Sequence, residues 1–204
     1  MSEKQSIIFD WGGVFARTED YSYRHRWDDQ LNRPHGTVES VVHGIPEWTA
    51  LQHGTLSTDV YLSAIAKALD IDEERTHQIL DDFYKGDVLD SSLLVLVDDL
   101  RKRDVKVGLL SNNVKELHNE LESLGLTGRF DAIVISADIG VMKPKPEAYL
   151  TALTALSVST EESLFIDDSA ENIKGALAVG MQGILFTPEI DLSVHIEGWL
   201  HGRS

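Results

Sequence analysis

Ser6-Ile7-Ile8-Phe9-Asp10-Trp11-Gly12-Gly13-Val14 is an apolar run that ends in one carboxylate and then two glycines. Ile7, Ile8 and Phe9 suit an extended strand buried on both faces, as in a parallel sheet. Sheets of that kind present whatever follows the carboxyl ends of their strands to a ligand crevice. Asp10 stands at such an end, in the place of a nucleophile. An acidic residue there is common by itself, so its meaning depends on the rest of the chain.

The rest of the chain repeats the arrangement. Val107-Gly108-Leu109-Leu110 leads into Ser111-Asn112-Asn113, and Ala132-Ile133-Val134-Ile135 is followed by Gly140-Val141-Met142-Lys143-Pro144. Ser163-Leu164-Phe165-Ile166 runs into Asp167-Asp168-Ser169, and residues 183–186 form a last strand. Helical patterns lie between them at 92–103, 114–124, 147–156 and 170–179, with a terminal helix ending near Leu200. Gly125 and Gly180 stand where helices stop. Alternating strands and helices predict an α/β fold, a doubly wound parallel sheet with helices on both faces. In it Asp10, Ser111, Lys143 and the Asp167-Asp168 pair converge on one crevice. Ser111-Asn112-Asn113 and Asp167-Asp168-Ser169 also suit helix N-caps.

The ordered set resembles the haloacid dehalogenase-like (HAD) superfamily over essentially the whole chain. Most members of that superfamily are magnesium-dependent phosphatases with a Rossmann-like core. The resemblance matches Asp10 to the nucleophile, Ser111 to the second motif's hydroxyl, Lys143 to the third motif's lysine and Asp167-Asp168 to the acidic pair. The Phe-Asp-Trp-Gly-Gly-Val start and the Asp-Asp-Ser-Ala-Glu-Asn-Ile run look most like small sugar-phosphate phosphatases. The amino-terminal phosphatase domain of epoxide hydrolases is a further relative.

What the resemblance implies agrees with the residue types. A phosphate dianion repels a carboxylate, so charge must be neutralised before attack. Mg2+ takes hard oxygen ligands, one or two of them carboxylates. Asp10, Asp168, Asp167 and the carbonyl of Gly12 are the expected ligands. Lys143 adds a point charge beside nucleophile and phosphate. Ser111 and N–H groups around Asn112 are expected to bind phosphate at a helix start.

One position departs from the pattern. Typical phosphatases of the superfamily carry a second aspartate two residues after the nucleophile, as general acid and base. Here that residue is Gly12. General acid–base help is worth roughly 10²–10⁴ in rate. Without it, substrates with an acidic leaving group, such as acyl phosphates or sugar 1-phosphates, are favoured. Glu19, Asp20, His25 and His53 are candidate substitutes. Gly12 also admits a metal-independent dehalogenase, since halide leaves without a proton, or a non-catalytic binding relative. The retained acidic pair speaks for phosphate.

Residues 15–90 lack strand–helix alternation and carry helical patterns at 38–42, 46–52, 58–69 and 73–84. Pro46 suits a first helical turn, and residues 57–59 suit an N-cap. An insertion after the first strand resembles the superfamily's small helical cap. The expected division is a core of residues 1–14 and 91–204 with a cap of 15–90. A cap of this type closes over the crevice and selects small substrates. Arg24, Trp27, Trp48 and His53 are the candidates for specificity. At least one of the two tryptophans is expected to pack the cap's own core.

The chain has 204 residues, 42% of them hydrophobic, enough to bury a sizeable core. The absence of cysteine excludes disulfides and thiolate chemistry. The formal net charge of −16 argues against nucleic acid as a partner. No apolar stretch approaches the length of a membrane span, and the polar start 1–5 is read as no signal peptide. The expectation is a cytoplasmic monomer or homodimer acting on a small phosphorylated molecule.

Overall fold

The computed structural model describes residues 5–202. Residues 1–4 of the polar start and residues 203–204 lie outside the described residues. The strands are β1 (Ser6–Phe9), β2 (Ala16–Thr18), β3 (Asp87–Leu89), β4 (Lys106–Ser111), β5 (Ala132–Ile135), β6 (Ser163–Asp167) and β7 (Gln182–Leu185). The inserted segment carries helices α1 (Ser22–Gln30), α2 (Thr37–Gly44), α3 (Pro46–Gln52), α4 (Thr58–Leu69) and α5 (Glu73–Phe83). The rest carries α6 (Ser91–Lys102), α7 (Leu117–Ser123), α8 (Ser136–Ile139), α9 (Pro146–Leu156), α10 (Ala170–Ala178) and α11 (Leu192–His201).

Five strands form one sheet in the order β5-β4-β1-β6-β7, and every pairing in it is parallel. β1 sits in the middle, with Phe9 level with Leu109 of β4 and Ile166 of β6. Successive side chains of a strand point to opposite faces, and the core divides accordingly. Ile7, Phe9, Leu109 and Ile166 pack with residues of α6, α7 and α11. Ile8, Leu110 and Phe165 pack with residues of α9 and α10. Ile8 and Phe165 are fully buried, and truncating a residue of this kind to Ala costs about 2–5 kcal/mol. The chain is therefore an α/β protein with helices on both faces of a parallel sheet.

Helix starts follow local chemistry. Asp90 caps α6 by accepting from the backbone N–H groups of Ser92 at 3.0 Å and Leu93 at 3.3 Å. Asp72 caps α5 by accepting from Arg75 N at 2.8 Å. Pro46 and Pro146 occupy first turns, where a missing N–H costs nothing.

The inserted segment has its own hydrophobic cluster, which includes Trp27, Val38, Val42, Tyr61, Ile65, Ile79 and Phe83. Its two ends are joined by the antiparallel ladder of β2 and β3, in which Ala16 faces Leu89 and Thr18 faces Asp87. Phe15 and Leu89 pack in the main core rather than with the inserted helices.

Three helices differ from the sequence reading, among them the four-residue α8, too short to show a period. Helix α1 carries no apolar stripe that would mark it. The helix expected over 114–124 begins only at Leu117, because the residues before it are held by other bonds. Asn113 N donates to Ser136 Oγ at 3.0 Å, and Val114 N donates to Asn113 Oδ1 at 2.8 Å.

Candidate active site

Asp10 follows β1 directly, and its backbone N–H continues the ladder by donating to Ile166 O at 2.9 Å. The chain then turns sharply. The carbonyl of Trp11 accepts from Phe15 N at 2.9 Å and Ala16 N at 3.1 Å, and Gly13 N donates to Ala16 O at 2.9 Å. The Trp11 ring is buried and stacks on Phe15 at 5.7 Å, which pins the turn to the core. These bonds use Trp11 and Gly13 and leave the carbonyl of Gly12 to other partners. Gly13 has φ +77°, a conformation that suits glycine.

Lys143 binds the acids at the ends of β1 and β6 together. Its side chain is wholly buried, and Nζ lies 2.8 Å from Asp10 Oδ1 and 2.6 Å from Asp167 Oδ2. Asp10 Oδ1 also accepts from Trp11 N at 2.8 Å. Asp167 Oδ1 accepts from Ser169 N at 2.8 Å, and the Asn172 amide donates to both Asp167 oxygens at 3.0 and 3.1 Å. Asp167 is thus saturated. Asp168, beside it, is exposed. One carboxylate oxygen from each of Asp10, Asp167 and Asp168 lies within 4.8 Å of the others.

The electrostatics leave the cluster short of positive charge. Three carboxylates against one ammonium leave two negative charges when all are ionised. Burial pushes the Asp10 carboxyl up to about 6; Lys143 works against that shift and Asp167 adds to it. Burial, then Asp167, also raises Asp168. A crowd of hard oxygen donors with surplus negative charge is what a divalent cation of the Mg2+ type requires, so the residues present fit such an ion.

Ser111 ends β4 beside Ile135 of β5 and is buried. Asn112 does not cap a helix. Its Oδ1 accepts from Lys143 N at 2.8 Å and its Nδ2 donates to Lys143 O at 2.9 Å. This corrects the expectation of a helix start at Asn112: α7 begins five residues further on, and the Asn112 side-chain amide grips the lysine loop.

The cap candidates divide. Arg24 is 4% exposed, and its donors are committed to Phe83 O at 3.1 Å, Glu39 at 2.9 Å and Thr18 Oγ1 at 2.6 Å, with Asp87 at 3.2 Å. Its guanidinium also sits 4.0 Å from the Phe83 ring centroid. Trp27 is buried in the cap cluster and donates from Nε1 to Asp82 Oδ2 at 2.9 Å. Lys85, Arg26 and Trp27 together hold that Asp82 carboxyl down to about 2. In this arrangement Arg24 and Trp27 hold the inserted helices together. Trp48 is half-buried against His43 and Tyr61, and His53 Nδ1 lies 3.2 Å from Gly140 O.

The candidate replacement acids sit in varied surroundings. Asp20 accepts from Ser22 N at 2.9 Å, and His25 stacks on His35 at 4.3 Å. Glu19 is exposed. Sequence reasoning overlooked Asn172, although the Asp-Asp-Ser-Ala-Glu-Asn run contains it. A helix capped at Ser169 turns its third residue back toward the strand end, and that spacing was the available signal.

Comparison with known proteins agrees with this geometry. The family model described as haloacid dehalogenase-like hydrolase matches residues 5–180. Phosphatase MT3486 of Mycobacterium tuberculosis (strain CDC 1551 / Oshkosh) is 37% identical over 91 residues, which are 44% of this chain and 42% of that protein. The matched stretch is thus less than half of either protein. The putative phosphatase YhcW of Bacillus subtilis (strain 168) is 26% identical over 202 residues, 97% of this chain and 90% of its own. Among solved structures, the HAD family enzyme BT-2542 of Bacteroides thetaiotaomicron, in complex with magnesium and inorganic phosphate, superposes with a TM-score of 0.75 at 18% identity. That similarity covers 94% of this chain and 98% of that one, and it is a likeness of fold.

Proposed function

The chain belongs to the haloacid dehalogenase-like hydrolases, and on that basis we propose that it is a magnesium-dependent phosphatase for a small phosphorylated metabolite, working through an aspartyl-phosphate at Asp10. The observation that carries this reading is Lys143, wholly buried and bridging Asp10 at 2.8 Å and Asp167 at 2.6 Å, with Asp168 in the same cluster. Halide displacement, which Gly12 would suit, gives no use for Asp167 and Asp168.

Asp10, Asp168 and the carbonyl of Gly12 would hold the ion, with Asp167 beside them. When bound, Mg2+ supplies the positive charge that lets a phosphate dianion approach a carboxylate. Lys143 has three N–H donors. Two are taken by Asp10 and Asp167, and the third is available to a phosphate oxygen. Ser111 adds a hydroxyl at the end of β4. Because Asp10 Oδ1 takes both the Lys143 and Trp11 donors, Oδ2 is the attacking atom. The new bond runs from Asp10 Oδ2 to phosphorus, and the bond from phosphorus to the ester oxygen breaks with its electron pair. A water then attacks phosphorus, the bond from phosphorus to Asp10 Oδ2 breaks with its electron pair on Oδ2, and the water's two protons end on the phosphate and, through solvent, on the departed ester oxygen.

Nothing at Gly12 protonates the leaving oxygen, so the substrates served best have acidic leaving groups, such as sugar 1-phosphates or acyl phosphates. The inserted residues 15–90 act as a cap that screens the crevice from water and macromolecules, with Trp48 and His53 in reach of selecting the substrate. Among the described residues no helix is long and apolar enough to cross a membrane; a small-metabolite enzyme without cysteines suits the cytoplasm. Phosphate release from a panel of small phosphomonoesters, with and without Mg2+, tests the reading. Metal-dependent release supports it, and halide release from a haloacid in the presence of chelator overturns it.

A further inference from the structure

The inserted segment touches the core at a place that leads to the catalytic lysine. The last turn of α3 makes the connection. Gln52 O accepts from Ser136 Oγ at 2.7 Å, and Gln52 Nε2 donates to Asn112 O at 2.7 Å. At the next glycine, Gly54, a side chain would fall on the carbonyl of Ala137, so cap and core backbones meet closely there. Asn112 in turn holds both main-chain groups of Lys143, at 2.8 and 2.9 Å. Lys143 reaches Asp10 and Asp167. One chain of hydrogen bonds therefore runs from a cap side chain to the ammonium at the nucleophile.

Each link constrains the next. A carboxamide that fixes the Asn112 carbonyl fixes its peptide, and with it the side-chain amide that sets the height of the Lys143 loop. We infer that Gln52 is a positioning residue: through Asn112, the docked cap holds Lys143 in register with Asp10. The inference rests on the proposed catalytic role of Lys143. It links the shielding of the crevice to completion of the charge arrangement beneath it, so an undocked cap leaves the lysine mispositioned.

Gln52→Leu keeps the volume and removes the donor, and Gln52→Glu keeps the shape and sets a carboxylate against the Asn112 carbonyl. Thr58→Val is the control, since it removes another cap-to-core bond, from Thr58 Oγ1 to Glu116 at 2.7 Å, away from Lys143. Both Gln52 variants should lower kcat by about tenfold or more with KM nearly unchanged, as misplacement of about 1 Å can cost 10²-fold. Thr58→Val should keep kcat. The buried Lys143 ammonium should exchange its protons slowly by 15N NMR in the wild type and faster in both Gln52 variants. Unchanged exchange in folded Gln52 variants overturns the coupling whether or not the protein turns over phosphate esters. Slowed turnover that falls equally in Thr58→Val overturns it too, as a general effect of cap docking. Failure of the wild type on every phosphate ester, with faster Lys143 exchange in the variants, would reject the phosphatase reading and uphold the coupling.

Discussion

Asp168 and Gly13 share one space: a Cβ on Gly13 would fall on the Asp168 carboxylate. The turn after the nucleophile and the loop after β6 can approach this closely because residue 13 has no side chain. The φ of +77° at Gly13 demands the same residue for a second reason. Both the position of Asp168 in the carboxylate cluster and the path of the chain past Asp10 depend on it.

Gly13→Ala should therefore displace Asp168 and weaken metal binding. The left-handed conformation alone costs roughly 1–2 kcal/mol for an L-residue. Thermal melts with and without Mg2+ check this. The variant should melt lower and lose the metal-induced rise, while a full rise would show that Asp168 has not moved.

Gly12 presents the opposite situation, since a Cβ there would meet nothing within 4 Å. The missing acid is a chemical absence with room to spare. Gly12→Asp should raise turnover most on alkyl phosphates, whose leaving oxygen needs a proton, by up to about 10²-fold on the scale of general acid help. Sugar 1-phosphates should gain less. Equal gains on both substrates would argue against a leaving-group role at this position.

Stability should respond to pH and metal together. The Asp10 carboxyl lies at about 6 in the fold, above the roughly 3.9 of an unfolded chain. The fold thus binds a proton more tightly than the unfolded chain does. Its contribution is fully present below about pH 4 and is lost as pH rises through about 6. Mg2+ binds the ionised carboxylates, so it should raise the melting temperature more at pH 8 than at pH 5. A larger rise at pH 5 would contradict the assignment of Asp10 as a ligand.

Arg24 carries structural weight among the inserted helices. Its guanidinium is buried and bonded to Glu39, Thr18, Asp87 and the carbonyl of Phe83. Arg24→Met would take the donor from the buried Phe83 carbonyl and end the pairs with Glu39 and Asp87, whose carboxylates are partly exposed, so a loss of about 1–3 kcal/mol is expected. Urea midpoints should fall accordingly. Unchanged stability with a raised KM would return Arg24 to the substrate.

The sheet and the meeting of Asp10, Lys143 and Asp167 were legible because buried parallel strands read as apolar runs ending in polar residues. The five sheet strands each have such a run. Helix α1 was not legible, since Arg24 and Trp27 are buried in it without an apolar period. The three-residue strands β2 and β3 were invisible for their shortness: Arg17, Val88 and Asp87 show no pattern, and their pairing is set by the chain leaving and re-entering the core. The helix cap read at Asn112 was misplaced because a Ser-Asn-Asn run looks like a cap until the lysine loop, 31 residues away, is brought beside it. Long-range side-chain bonds of this kind leave no local periodicity.

The central claim is that Asp10 attacks phosphorus. Phosphate release from sugar 1-phosphates in the presence of Mg2+, compared between the wild type and Asp10→Asn, tests it most directly. The account predicts metal-dependent release that vanishes in the variant while the fold, followed by circular dichroism, is kept. Release that survives in Asp10→Asn would contradict it.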